Sequence, residues 1–170
     1  MKRQPTLQDD QVILSPLKTA EFEELLAIAS DPLIWAQHPN PNRWQREVFR
    51  TYFDGALASG GAFMIRDKAH RNAIGSTRFY DHDAEASEIK IGYTFFSRNQ
   101  WGNGTNQRVK KLMLDHAFQY VRQVIFHVGA QNMRSRIAMQ RLGAELIGEE
   151  EVAYFGEQPK RNVVFRITAP

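Results

Sequence analysis

The sequence predicts an α+β (mixed α/β) fold: one central, largely antiparallel sheet flanked by helices. Three observations carry this expectation. Three β-branched and aromatic runs, Ala62–Arg66, Ala73–Tyr80 and Glu88–Phe96, are joined by connections too short for crossover helices, so they pair as an antiparallel meander. The third run breaks into Trp101-Gly102-Asn103-Gly104 and opens a helix, and a second strand–helix unit follows it. Two further strands close the chain as a hairpin. The resulting order is that of a mixed sheet and not of a doubly wound one.

Element by element, Val12–Leu14 reads as a first strand ended by Pro16. Thr19–Ala29 reads as a helix with Phe22, Leu25, Leu26 and Ala29 at helical spacing, stopped by Asp31-Pro32. The prolines of Trp35–Arg43 bar a regular helix there. Asn42 is the expected cap of a second helix running to about Ala58, with Trp44, Val48, Tyr52 and Ala56 inward and Gly60-Gly61 ending it. After the meander, the helix from Asn106 to Arg122 turns Val109, Leu112, Met113, Ala117 and Val121 to one side. Val124–Val128 is a strand, and Asn132–Leu142 a helix ended by Gly143. Glu151–Phe155 and Asn162–Thr168 are the closing strands.

The chain has 170 residues and no repeat, low-complexity tract or Pro/Gly/Ser linker, so residues 1–170 read as one domain with a sizeable core. Hydrophobic residues make up 42% and charged residues 24%, the balance of a water-soluble protein. The absence of cysteine excludes disulfides, zinc–thiolate sites and a cysteine nucleophile, and fits a reducing, cytoplasmic setting. No apolar run reaches the roughly 18 residues that cross a bilayer, so no membrane is expected. Nor does any His/Asp/Glu spacing make a metal site. The net charge is +3, and between Arg98 and Arg141 basic residues face Asp115 alone. Such a segment suits a phosphorylated ligand, nucleic acid, or simply a solvated helical face. The interleaved aromatics and glycines of an RNA-reading strand are missing, which ranks nucleic acid last.

The Gly102-x-Gly104 turn narrows these choices. A strand that ends in small residues and opens a helix presents free backbone N–H groups at the positive end of the helix dipole, where a phosphate can sit. On its own the turn reads first as a plain strand–helix connection. No Gly-x-x-x-x-Gly-Lys-Ser/Thr loop is present, and the third glycine of a dinucleotide fingerprint is lacking. About thirty residues on comes a second signature, Asn132-x-x-Ser135 before Arg141-Leu142-Gly143.

Together, Ile91-Gly92-Tyr93-Thr94, Trp101-Gly102-Asn103-Gly104-Thr105-Asn106 and Asn132-x-x-Ser135…Arg141-Leu142-Gly143 resemble the GNAT superfamily of acetyl-CoA-dependent N-acetyltransferases, across essentially the whole chain. The branch they are most similar to contains the ribosomal-protein N-terminal (serine/alanine) acetyltransferases. The resemblance implies a GNAT-like (acyl-CoA N-acyltransferase) fold in which the fourth and fifth predicted strands, Glu88–Phe96 and Val124–Val128, splay apart. It implies acetyl-CoA as cosubstrate, with the pantetheine arm lying in the gap like an added strand. Thr94, Phe95 and Phe96 would line that arm. Gln100, Trp101, Gly102, Asn103, Gly104 and Thr105 would hold the pyrophosphate through their N–H groups, and Asn132 would bond the arm from the other side. Gly102 and Gly104 would take positive φ and let the backbone approach the phosphates.

Two departures bear on mechanism. Where many members carry a tyrosine as general acid this chain has Met139, and Ser135 matches the serine proposed as donor in the ribosomal branch. Where relatives carry an acid before Ile-Gly-Tyr this chain has Lys90, with Glu88 two residues back on the same face. Ser135 and Glu88 are therefore the candidate catalytic residues. His38, His82 and a water held by Tyr93 are further candidate bases, while His116 and His127 read as structural. The acceptor pocket is expected from Trp35, His38 and Arg43 on the connector, Arg78 and Tyr80 on one strand face, and Tyr154 from the late hairpin. Its partner would be an amine-bearing acceptor, either a protein or peptide N-terminus or a small molecule; a homodimer is left open. The competing reading is an acetyl-CoA-binding regulatory protein that has lost turnover.

Overall fold

The computed structural model describes residues 1–154 and 156–170. Among these, the strands are β1 (Leu7–Gln8), β2 (Val12–Pro16), β3 (Ala62–Asp67), β4 (Ala73–Asp83), β5 (Glu88–Phe96), β6 (Gln123–Gly129), β7 (Glu145–Val152) and β8 (Lys160–Thr168). The helices are α1 (Phe22–Ala29), α2 (Pro32–Trp35), α3 (Arg46–Ser59), α4 (Thr105–Ala117) and α5 (Met133–Arg141). One sheet runs in the order β1-β2-β3-β4-β5-β6-β8-β7, and every pair is antiparallel except β5 with β6. The expected meander and mixed sheet are therefore present.

Period-two alternation divides the sheet into two apolar faces. Val12, Leu14, Phe63, Ile65, Phe79, Ile91 and Phe126 turn to one side, where Val109, Met113 and Ala117 of α4 cover them. Met64, Ala62 and Phe95 turn to the other, against Phe22, Leu25 and Leu26 of α1 and Phe49, Tyr52 and Phe53 of α3. Each such large side chain removed from water contributes about 1.5–3 kcal/mol. These two layers hold the sheet rigid except where its strands part.

That parting lies between β5 and β6. They are paired only through Glu88↔Gln123, Ile89↔Val124 and Lys90↔Ile125, after which β6 continues against β8 alone. The other edge of β5 carries a bulge. Its register with β4 passes from Arg78↔Gly92 to Ser76↔Phe95, leaving Tyr93 and Thr94 opposite Thr77. Tyr93 takes φ 54°, a left-handed conformation that a bulky residue adopts only where its surroundings hold it.

Several local expectations are corrected. Asp31-Pro32 stops α1 but also starts α2, because the Asp31 carboxylate accepts from the Leu33 N–H and proline suits the first helical turn. Gln45, not Asn42, is the N-cap of α3, and Trp44 falls outside the helix and lies exposed. Gly60 does end α3, in the left-handed conformation. The central helix stops at Ala117, five residues before Arg122. The penultimate strand begins at Glu145 and ends at Val152, and of the expected Glu151–Phe155 segment Phe155 lies outside the described residues. The two-residue β1 is too short to leave a pattern in sequence.

Candidate active site

The loop from β5 to α4 folds on its own side chains. Thr105 Oγ1 donates to Asn103 Oδ1 at 2.7 Å and reaches Gln100 Oε1 at 3.0 Å, and the Thr105 N–H donates to Asn103 Oδ1 at 3.1 Å. The Gln100 N–H is taken by the Ser97 carbonyl and the Trp101 N–H by that of Arg98. These bonds change the expected anion cradle: Gln100, Trp101 and Thr105 have no amide to spare. Among the described residues the N–H groups of Gly102, Asn103, Gly104, Asn106 and Gln107 carry no partner. Gly102 and Gly104 take φ 76° and 88°, and a Cβ on either would meet nothing within 4 Å. Their requirement is thus conformational, and the space beside them is open for a ligand.

From this cradle a cavity of about 640 Å³ runs along the gap between β5 and β6. Tyr93, Thr94, Phe95 and Phe96 line one side, and Phe126, His127, Val128 and Gly129 the other. Gln100, Trp101, Gly102 and Gly104 line its mouth; Asn103 and Thr105 do not, since their side chains hold the loop together. Asn132 and Ser135 meet the cavity from the head of α5. Asn132 Oδ1 caps the helix by accepting the Ser135 N–H at 3.2 Å, which leaves its Nδ2 free to donate toward the cavity. The Trp101 ring lies 3.9 Å beneath the Arg134 guanidinium, and Arg134 donates to the Ile34 carbonyl at 2.9 Å, so the mouth is strapped to α2.

Lys110, one turn into α4, was not singled out by sequence. It is fully buried on the cavity wall, with Nζ 2.5 Å from Thr94 Oγ1 and 3.4 Å from Thr77 Oγ1. No carboxylate pairs with it among the described residues, and burial pulls its pKa down to about 7.

The end of the cavity away from the loop, where the acceptor is expected, is aromatic. Trp35, buried through its N–H bond to the Ala29 carbonyl, meets His38 and Phe95 edge-on and tilted respectively. Arg43 is also buried and lines the cavity, but it is already neutralised: Nε and Nη2 donate to both oxygens of Glu157 at 2.8 Å. Its guanidinium is surrounded by Trp35, Tyr52, Tyr93 and Tyr154. Arg43 therefore braces the wall and is not a free receptor for an acidic acceptor. His38 stands 3.1 Å from Arg43, and burial, reinforced by that cation, holds its imidazole neutral well below the usual histidine range. It is poorly suited to take a proton.

Two further assignments are corrected by position. Arg78 is buried beneath Tyr93, 3.7 Å from the ring, and donates to the Tyr52 carbonyl; it does not line the cavity. Glu88 sits at the base of β5, where its carboxylate accepts from the Gln123 amide at 3.1 Å, and it too lies outside the cavity. The Gly92–Tyr93 bulge that opens the site lies further along the same strand. Tyr80 does line the cavity. So does His127, which alternation with apolar residues had suggested was structural; its apolar neighbours Phe126 and Val128 face α4, and the imidazole faces the other way. His116 bonds the Lys2 carbonyl and His82 is exposed, and neither lies at the cavity.

A mixed sheet parted beside a bulged strand, with free amides at the head of the next helix, is the architecture of an acyl-group transferase of the GNAT fold. The chain belongs to that family: the acetyltransferase (GNAT) domain profile matches residues 11–145. Solved structures agree in fold. A protein from T. thermophilus provisionally named an acetyltransferase is 24% identical, with a TM-score of 0.78 over 99% of this chain and 92% of its own. The microcin C7 self-immunity acetyltransferase MccE, solved with acetyl-CoA and AMP, is 13% identical, with a TM-score of 0.78 and 99% of both chains covered. A Vibrio cholerae protein provisionally named a ribosomal-protein-serine acetyltransferase is 15% identical, with a TM-score of 0.77 over 99% of this chain and all of its own. No curated protein sequence matches the chain.

Proposed function

We propose that this protein is an N-acetyltransferase that moves an acetyl group from acetyl-CoA to a primary amine, on a protein or peptide N-terminus or a small molecule, by direct attack. The observation that carries this reading is the continuity of the cradle with the gap: of the five unpartnered amides at the head of α4, four belong to residues that line one cavity, which follows the parted strands to Tyr80. The amides of Gly102, Asn103, Gly104, Asn106 and Gln107 fit a pyrophosphate. The unpaired inner edges of β5 and β6 fit the amide-bearing pantetheine arm, with Asn132 Nδ2 as a further donor. Acetyl-CoA supplies the activated acyl group. The chain supplies binding, the positioning of two reactants in one cavity, and donors at the Tyr93–Thr94 bulge for developing negative charge. Ser135 lines the cavity, which supports it as the donor of a proton to the departing thiolate. With no cysteine in the sequence, transfer through a thiol on the protein does not arise.

The purified protein, mixed with acetyl-CoA and a panel of peptides and small amines, is expected to release free thiol and yield products heavier by one acetyl group. Acetyl-CoA that raises the thermal midpoint without thiol release on any amine would favour the alternative, an acetyl-CoA-binding regulator without turnover.

A further inference from the structure

The acetyl-transfer reading leaves the acceptor's proton without an assigned carrier: Glu88 lies outside the cavity, His38 resists protonation, and Lys110 Nζ is held by the Thr94 and Thr77 hydroxyls on the α4 side. We propose that the Tyr80 hydroxyl takes the proton from the attacking amine and relays it to His127, whose positive charge Glu150 then faces. This rests on the acetyl-transfer reading.

The geometry is a short chain across three strands. Tyr80, on β4, places its hydroxyl 3.2 Å from where a Cβ on Gly92 would stand, at the start of the β5 bulge. The same hydroxyl is 3.4 Å from His127 Nδ1 on β6, so it bridges the two strands at the point where they part. This is the outer limit of hydrogen-bond length, and catalytic bonds in unliganded sites commonly tighten when ligands bind. On the far side of the ring, His127 Nε2 is buried and lacks a hydrogen-bond partner among the described residues, with Glu150 Oε2 of β7 at 3.6 Å. A carboxylate there places the ring proton on Nε2 and leaves Nδ1 as acceptor for the tyrosine O–H. Half of Glu150 is open to water, which gives the proton an exit.

Burial and Lys90 lower the His127 pKa, while Glu150 and Asp81 oppose them; His38 has the cations Arg43 and Arg134 beside it, whereas His127 faces carboxylates that stabilise its charged form. Lys90 is itself paired with Asp81 at 3.2 Å. Tyr80 is buried beside Tyr154, Tyr93, Asp81 and Arg78, and burial raises its pKa well above the usual value. A phenol in that position does not ionise alone; it gives up its proton to His127 as it receives one.

The protons balance. The acceptor ammonium loses one proton to Tyr80 Oη as the Tyr80 proton passes to His127 Nδ1. The amine then forms the C–N bond at the thioester carbonyl carbon, the C–S bond breaks, and the second proton of the amine goes to the thiolate directly or through Ser135. The products are amide and thiol; His127 releases its Nε2 proton to water past Glu150, and the ring regains its Nε2–H tautomer by proton exchange with water before the next turnover.

The test has two arms. In the protein without ligands, imidazole nitrogen NMR, assigned with His127→Asn, is expected to show neutral His127 as the Nε2–H tautomer, with Nδ1 accepting from Tyr80. The Nδ1–H tautomer would overturn the relay. In the second arm, Tyr80→Phe and His127→Asn, with His127→Gln should the asparagine variant fold poorly, are assayed on any amine that the wild type acetylates. Each is expected to lose about 100-fold or more in kcat at about pH 6–7, with acetyl-CoA affinity within about twofold, and to lose the acid limb of its rate profile. Retention of that limb sinks the relay while the acetyl-transfer reading stands. A wild type that binds no acetyl-CoA sinks that reading instead, and the NMR arm still decides the hydrogen-bond pattern of the pair.

Discussion

Lys110 shows what a single buried charge does to this site. Its folded pKa of about 7 lies well below the 10.5 of a free lysine, so between those values the unfolded chain binds more protons than the folded one. Stability therefore rises with pH across that window, and at about pH 7 the lysine costs on the order of 4 kcal/mol. Lys110→Met is expected to be the more stable protein at about pH 7, with the difference closing toward about pH 10, as read by denaturant unfolding at several pH values. Ser135 makes the complementary residue-scale prediction. Ser135→Ala should lower kcat by more than it weakens acetyl-CoA, measured by calorimetry beside turnover; equal losses would leave it a binding residue only. Ser135 and Tyr80 were legible because they sit in short motifs or on a predictable strand face. Lys110 and His127 were not. A helix-face lysine ordinarily snorkels to water, and a histidine between valine and phenylalanine gives no sign of which face holds the cavity.

At the scale of elements, the β5–α4 connection is where local chemistry and function coincide. Because a Cβ at Gly102 or Gly104 meets open space, a substitution there acts through the backbone, since positive φ costs an ordinary residue about 1–2 kcal/mol. Gly104→Val should weaken acetyl-CoA binding by about 5- to 30-fold. Gly104→Asn, which tolerates that conformation, should lose distinctly less. Equal losses in calorimetry would mean that the side chain obstructs the ligand instead of straining the loop. The meander, both central helices and the parallel strand pair's neighbours were readable from periodicity and turn residues. β7 was not, because its Glu145-Leu-Ile-Gly-Glu-Glu-Glu-Val sequence has no alternating apolar face; it is held by pairing with β8 and by Arg161–Glu149 and Arg166–Glu145 ion pairs that only the fold brings together. The start of α3 moved for a related reason. Asn42 is a good cap in isolation, but the residues beside it place Arg43 in the site and cannot also open the helix.

At the scale of the whole molecule, the ion pair of Arg43 and Glu157 ties the connector before α3 to the segment between β7 and β8. Arg43 is buried and Glu157 largely so, at 2% and 10% exposure, so removing one partner strands a charge. Glu157→Ala is expected to cost about 3–5 kcal/mol in denaturant unfolding, and the double change Arg43→Met with Glu157→Leu to recover most of it. A double variant as unstable as the single one would mean that shape, not charge, holds the wall. No sequence pattern announces a contact between residues 114 positions apart. What could be read was the half of the cavity proposed to hold the cofactor, whose parts lie within the stretch from Gly92 to Ser135. The half proposed for the acceptor draws on Trp35 and Arg43 at one end of the chain and Tyr154 and Glu157 toward the other.

That division sets an order of assembly. As the polypeptide emerges from synthesis, the residues of the β5–α4 loop are all available well before Glu157, whereas the aromatic box around Arg43 lacks this counterion until the closing hairpin docks. An incompletely made chain therefore keeps an uncompensated guanidinium that resists burial, and the aromatic end of the cavity is the last to gain its full set of contacts.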